Sequence, residues 1–196
     1  MGDFYFEDFD ERGVAFYELL VKLHVFDWAY SATAKLVEAA VDRGSRLLEV
    51  GPGVGKLAGL LERRGYRVVG VDVSPAMLRR ARRRTSADLV AGASWALPVR
   101  PGAFNGAVAL FTLHHWGPHR ESAEGVARAL SPGGRFVAVE VDKDRLPLVG
   151  DHSCSERCLK DVLGALFDVK IIRRYPLIAA VAERKRKIGD VVASWI

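Results

Sequence analysis

The chain has 196 residues, 49% of them hydrophobic, with 29 basic and 24 acidic residues and a formal charge of +5. This is the length and composition of one globular domain with a full core. No apolar run reaches the length of a membrane span, and the mild charge excess permits an anionic partner without requiring one. Met1 to Asp10 is acidic and aromatic, unlike a secretory leader, so a cytoplasmic protein is expected. The chain contains no Gln and a single Asn, Asn105. Few thermolabile amides and many charges fit a thermophile; a GC-rich genome gives the same Arg bias.

Residues 1 to 12 are polar and aromatic and are expected to be loosely held. Val14 to Val25 is helical in pattern, with Phe16, Leu19, Leu20 and Leu23 on one face. A second helix is predicted from about Ser31 to Val41, with Ala34, Val37 and Val41 inward and Gly44 as its stop. Between the two, Phe26, Trp28 and Tyr30 form either a lid over a pocket or a hydrophobic seam. Leu47 to Val50 reads as a buried strand. A glycine turn follows, then a helix from Gly55 to Arg64 stopped by Gly65. Arg67 to Asp72 is the second strand. Ser74 and Pro75 supply a cap and a first helical position for a helix reaching about Arg84. Asp88 to Ala91 is the third strand, and a loop from Gly92 to Gly102 carries Trp95 and Leu97-Pro98. Gly106 to Phe111 is the fourth strand. Glu121 to Leu130 is a helix ended by Ser131-Pro132-Gly133-Gly134, and Arg135 to Val141 is the fifth strand.

Strands alternating with helices imply a parallel sheet with right-handed crossovers. The rhythm then changes. Ser155 to Leu166 reads as a helix, and Asp168 to Arg173 and Leu177 to Ala182 are strands separated only by Arg174-Tyr175-Pro176. So short a connection demands an antiparallel hairpin. The tail is a charge run, Glu183 to Lys187, and a short apolar segment ending in Ile196. The expected organisation is a single domain: a helical cap (1–44), a core (45–142) and a C-terminal helix and hairpin (143–196).

The chemistry concentrates at Glu49-x-Gly51-x-Gly53-x-Gly55. A dinucleotide turn needs a third Gly where this chain has Lys56, and a P-loop is absent. A carboxylate at Glu49 would repel a pyrophosphate and attract a cationic ligand; alternatively it accepts bonds from the turn's own N–H groups. Asp72, ending the second strand, suits a bidentate bond to ribose hydroxyls. Its other reading is a helix cap, for which Ser74 is better placed. Arg79, Arg80, Arg82, Arg83 and Arg84 make a basic face, read as a solvated helix surface rather than a nucleic-acid contact. Cys154 and Cys158 are not expected to form a disulfide framework in a cytosolic chain, although a hyperthermophilic host makes an internal disulfide possible. With His152 they make a poor zinc signature, and no metal is expected.

Taken in order, five segments resemble the class I S-adenosylmethionine-dependent methyltransferases: Leu47 to Gly55, Val71 to Leu78, Leu97-Pro98 with Phe104 to Val108, Leu113 to Trp116, and Leu130 to Phe136. The resemblance covers about residues 45 to 142. It is closest to the small-molecule group that includes the ubiquinone and menaquinone C-methyltransferases. It implies an α/β, Rossmann-like doubly wound sheet of seven strands, mainly parallel, with an antiparallel C-terminal hairpin strand. It also implies S-adenosylmethionine as cofactor, held by Glu49, Gly51, Pro52, Gly53, Gly55 and Asp72. Val73 and Met77 are then adenine neighbours, Met77 reading equally well as ordinary core. Where the family often has an acid after the glycine corresponding to Gly92, this chain has Ala93. Backbone groups of Ala93 and Ser94 could take over, and Trp95 could close over the adenine. Asn105 also replaces the usual Asp. Phe111 lies at the ligand edge.

His114 and His115 follow, and one of them could take a proton from the acceptor or only shape the pocket. The expected activity is direct displacement onto a small-molecule acceptor, which depends on alignment and desolvation. No nucleic-acid partner and no membrane span are expected. The alternatives are a non-catalytic module that keeps the fold and the cofactor, and an RNA or protein methyltransferase using the basic helix. The Asn/Asp-Pro-Pro-aromatic tetrapeptide of base-amino methyltransferases is absent after the fourth strand, and so is the Pro-Cys pair of cytosine C5 chemistry.

Overall fold

The chain's computed structural model describes residues 18, 19, 21, 23–146, 148 and 153–185. Five strands lie parallel: β1 (Arg46–Val50), β2 (Arg67–Asp72), β3 (Asp88–Ala91), β4 (Phe104–Leu110) and β5 (Leu130–Val141). β6 (Phe167–Arg174) and β7 (Leu177–Arg184) complete one sheet in the order β3-β2-β1-β4-β5-β7-β6. β7 runs antiparallel to both neighbours. The hairpin follows from the connection at Tyr175-Pro176, too short for a crossover.

Alternation along the strands divides the core between two faces. Leu47, Val108 and Val137 pack with α1 (Asp27–Ala40), α2 (Lys56–Arg63) and α3 (Pro75–Ala81). Leu48, Ala107 and Phe136 pack with α4 (His119–Ala129) and α5 (Glu156–Leu163). From β1 the chain crosses to β2 on one face, and from β4 it crosses to β5 on the other. The direction of winding therefore reverses between β1 and β4, and the carboxyl edge at such a switch point is where open α/β sheets bind ligands.

Several elements differ from the sequence reading. α1 begins at Asp27, not near Ser31, because its buried stripe already includes Ala29 and Tyr30. Trp28 and Tyr30 are thus helical residues, not a linker. The helix ends at Ala40, and Gly44 (φ +81°) instead turns the chain into β1. Leu19 and Leu23, read as sharing one helix face, are exposed, while Val21 is buried; a turn at 23–26 ends that helical pattern. α3 stops at Ala81, short of Arg84, and α5 at Leu163, short of Leu166. α4 starts at His119. Ser131-Pro132-Gly133-Gly134 is not a break before β5 but an irregularity within it: Leu130 pairs with Phe104, and pairing resumes at Arg135 with Gly106.

Cys154 and Cys158 are bonded to each other. They flank Ser155, whose hydroxyl caps α5 by accepting from the Cys158 N–H at 3.1 Å. That bend brings their Cα atoms to 5.5 Å, within disulfide reach. As bonded cysteines they offer no thiolate to a metal. His152, residues 1–17 and the apolar tail to Ile196 lie outside the described residues. Among the described residues no helix is long and apolar enough to cross a membrane.

Candidate active site

The turn between β1 and α2 is built from positive-φ glycines: Gly51 at +77°, Gly53 at +53° and Gly55 at +78°. A side chain at Gly51 would also collide, since a Cβ there would lie 2.6 Å from Thr112 Cγ2. Thr112 Oγ1 donates to the Val50 carbonyl at 3.0 Å, tying the end of β4 to the end of β1. Pro52 is buried against β2, where Gly70 leaves room for its ring. The turn is therefore held on both sides of the switch point.

Asp72 closes β2 next to this turn. One carboxylate oxygen accepts the Gly53 N–H at 3.0 Å and the other accepts the Ser74 N–H at 2.9 Å. Burial raises its pKa above the usual range, and those two N–H bonds oppose the rise. Each carboxylate oxygen has a second acceptor site, so the arrangement leaves capacity for a diol. Ser74 caps α3 by accepting the Met77 N–H, with Pro75 at the first helical position, as its sequence indicated.

Glu49 stands one residue before the end of β1, only 2% exposed. Its Oε2 is buried with no hydrogen-bond partner among the described residues. The alternative in which the turn's own N–H groups satisfy the carboxylate is thus not what is observed at this oxygen. Burial first, then the nearby Asp72 and Glu62 carboxylates, push its pKa up to about 8. An orphaned acceptor of this kind costs on the order of 1–3 kcal/mol. It is relieved by any ligand that brings a cationic donor.

The edge of β4 carries a second constellation. Phe111 has φ +56°, an unusual conformation for a side-chain-bearing residue. Its ring meets Phe26 edge-on at 6.0 Å between centroids. Glu140, 1% exposed at the end of β5, accepts the Leu113 N–H at 2.8 Å and lies 2.8 Å from His114 Nδ1. The Glu140 carboxylate holds the His114 ring through Nδ1 and so sets its orientation. His114 lines a cavity of about 470 Å3 with His119, Lys143, Asp144, Ser153 and Cys158. His115 is exposed, its ring tilted against His114 at 3.9 Å between centroids. The far wall is braced by Arg173, which bonds Asp142, Asp144 and Glu156.

A buried acid beside a glycine turn at a switch point, with a second acid closing the next strand, forms one arrangement, and comparison with known proteins shows what the chain around it is similar to. The methyltransferase-domain family matches residues 48–138. Over that segment, just under half of its length, the chain is similar to a methyltransferase domain. A demethylmenaquinone methyltransferase of Thermus thermophilus is 32% identical over 132 residues, covering 63% of this chain and 60% of that protein. One from Corynebacterium kroppenstedtii is 31% identical over 156 residues, covering 78% of this chain and 62% of that protein. The chain thus spans about three fifths of the length of these curated relatives. A Thermotoga maritima structure, titled a SAM-dependent methyltransferase and possible histamine N-methyltransferase, superposes with a TM-score of 0.72 at 21% identity. It covers 89% of this chain and 98% of its own, and at that identity the likeness is one of fold.

The remaining residues expected at the domain's site are placed as follows. Glu49, Gly51, Pro52, Gly53, Gly55 and Asp72 come together around the turn. Val73 is exposed beside Asp72, whereas Met77 is buried in the core. Ser94 is buried with its hydroxyl 2.9 Å from that of Ser122, so its side chain is aimed at α4. The Ala93 carbonyl accepts the Ala96 N–H in a tight turn. Trp95 packs against Gly117, where a Cβ would lie 2.7 Å from its ring. Asn105 acquires a role: its Oδ1 accepts the Arg46 N–H at 3.0 Å, anchoring the start of β1. Sequence reasoning passed over Glu140 and Asp142. The signal was present, since Glu140 is a lone carboxylate closing an apolar strand, the same cue that singled out Glu49 and Asp72.

Proposed function

We propose that the chain binds S-adenosylmethionine and transfers its methyl group to a small-molecule acceptor, with a hydroxylated ring such as a reduced demethylquinone as the acceptor class. The observation that carries the cofactor assignment is the unpartnered, buried Glu49 Oε2 beside the glycine turn. Glu49 would accept from the cofactor's ammonium, Asp72 from its ribose hydroxyls, and the bare backbone of Gly51 and Gly53 would allow close approach. When bound, the cofactor supplies an activated methyl on a sulfonium centre. The chain's own residues align the acceptor and exclude water. His114, oriented by Glu140, takes the proton that an acidic hydroxyl must lose. Support for the acceptor class comes from the relatives' names, and from a cavity whose size suits one ring system and whose wall carries His114 and Lys143.

Within the basic face, Arg80 and Arg84 pair with Glu18, so an RNA reading would rest on Arg79, Arg82 and Arg83. Residence in the cytoplasm and a heat-adapted host remain part of this proposal, supported by composition. The test is thermal stabilisation by S-adenosylmethionine or its demethylated product, followed by turnover with reduced demethylated naphthoquinones and simple phenols. No stabilisation at millimolar ligand rejects the cofactor assignment; stabilisation without turnover on any hydroxylated ring rejects the acceptor class.

A further inference from the structure

Glu18 is the anchor of a surface that the methyltransferase chemistry does not use. Its carboxylate bonds Arg80 at 3.0 Å and Arg84 at 2.7 Å, fixing this residue to the end of α3. Beyond that clamp the chain turns apolar side chains outward. Leu19 is 50% exposed, Leu23 63%, Val25 45% and Trp28 46%. Single exposed apolar residues are ordinary, but four large ones within ten positions concentrate exposed apolar surface on one short stretch of chain. Trp28 also has the form of an interfacial anchor, since its indole N–H is satisfied by the Val25 carbonyl at 3.0 Å while its rings face outward.

The patch borders cationic surface. Arg84, which holds Glu18, also lines a groove of about 540 Å3 with Arg63, Arg82, Arg83, Ser86 and one carboxylate, Glu62, which accepts the Ser86 N–H and hydroxyl. Arg63, Arg82 and Arg83 are exposed, as is Arg79 on the preceding turn. An apolar strip beside arginines is the composition of an interfacial membrane-binding surface: the strip enters the acyl boundary while the guanidiniums meet lipid phosphates. A second copy of this chain fits less well, because it would bring like charges together in a protein already carrying +5.

We propose that the exposed side chains of Leu19, Leu23, Val25 and Trp28, together with the Arg63/Arg82/Arg83 groove, dock the protein on the surface of an anionic lipid bilayer. The proposal stands on this surface and does not need the acceptor reading, although docking would bring the Phe26–Phe111 edge of the site close to lipid-borne molecules.

The test uses the full chain with phosphatidylcholine vesicles, with and without phosphatidylglycerol, in a sedimentation assay. Binding is expected with the anionic vesicles, weakening as salt is raised. The neutral substitutions Arg82→Ser and Arg83→Ser are expected to lower the partition coefficient about fivefold each. Trp28→Ser with Leu23→Ser should lower it further and abolish any blue shift of tryptophan emission on binding. Stabilisation by S-adenosylmethionine, measured in each variant, reports that the fold is intact, so failure of docking and failure of the cofactor assignment are read separately. Absence of binding to anionic vesicles, binding unaffected by all four substitutions, or a lipid-independent dimer lost in Trp28→Ser overturns the proposal.

Discussion

Replacing Glu49 by Gln should stabilise the empty protein and weaken its grip on the cofactor. The reasoning starts from burial. A carboxyl group with a folded pKa of about 8 and an ordinary value of 4.5 is held protonated in the fold and ionises freely in the unfolded chain. For a raised pKa, the stabilising contribution is complete below 4.5 and is lost as pH rises through 8. At neutral pH about 2.5 pH units of that interval have been crossed, at 1.36 kcal/mol each, a penalty of about 3 kcal/mol. Glutamine cannot ionise and escapes it. Its buried amide is itself short of partners and returns about 1–2 kcal/mol of cost. A net gain of about 1–2 kcal/mol remains, or about 2–8 °C in Tm for a chain of this size.

The gain should grow with pH between about 5 and 8 and level off above, because the wild-type group is then ionised in both states. Calorimetry or denaturant titration of the two proteins across that range measures it. Cofactor affinity should move the other way, by about 1–3 kcal/mol, the scale of a lost charged hydrogen bond. Opposite signs for stability and binding are the mark of a site strained for function. Parallel pH–stability curves for the two proteins, or a variant that binds as tightly as wild type, would refute the reasoning.

Binding of S-adenosylmethionine to the wild type should release protons between about pH 6 and 7.5, because a cationic donor lowers the Glu49 pKa; calorimetry in buffers of different ionisation enthalpy detects this, and the variant should show none. On the alkaline side the rise in affinity should end as the cofactor's own α-amino group titrates, near about 7.7–8.0. Asp72→Asn should weaken cofactor binding by about 1–3 kcal/mol, as read by isothermal titration. Unchanged affinity would leave Asp72 only its observed bonds to Gly53 and Ser74. His114→Ala should lower kcat by about 10²-fold or more with a hydroxylated acceptor while leaving cofactor affinity intact. Glu140→Gln should also lower kcat with a hydroxylated acceptor while leaving cofactor affinity intact, a split between turnover and binding that a general loss of structure would not produce. Gly51→Ala should destabilise the fold by about 1–3 kcal/mol, since it combines a φ of +77° with a Cβ 2.6 Å from Thr112; urea denaturation measures it.

Much of this protein is local chemistry written in order. β2 and β3 have their predicted bounds, because an apolar run between turn residues admits one reading. Ser74-Pro75 starts α3 because the cap hydroxyl and the fixed proline φ act within four residues. The hairpin of β6 and β7 follows from a chain too short to cross over. The glycine turn, with Glu49 and Asp72 beside it, was legible for the same reason: each residue's requirement is set by its immediate neighbours.

What tertiary structure decided concerns partners far apart in the chain. Position 49 called for a carboxylate near a ligand, but that its Oε2 has no protein partner depends on what surrounds β1 in space. His114 was a bare candidate until Glu140, 26 residues away, gave it an orientation. Ser94 was singled out for its backbone, and only the fold shows that its hydroxyl meets that of Ser122, 28 residues away on α4. Leu19 and Leu23 satisfy a helical pattern and still face outward, because periodicity defines a face without saying which way it points. The Arg80–Arg84 stretch looked uniformly solvated until Glu18 took two of its guanidiniums. In each case the sequence determined what a residue could do, and packing across the sheet determined which group it would do it with.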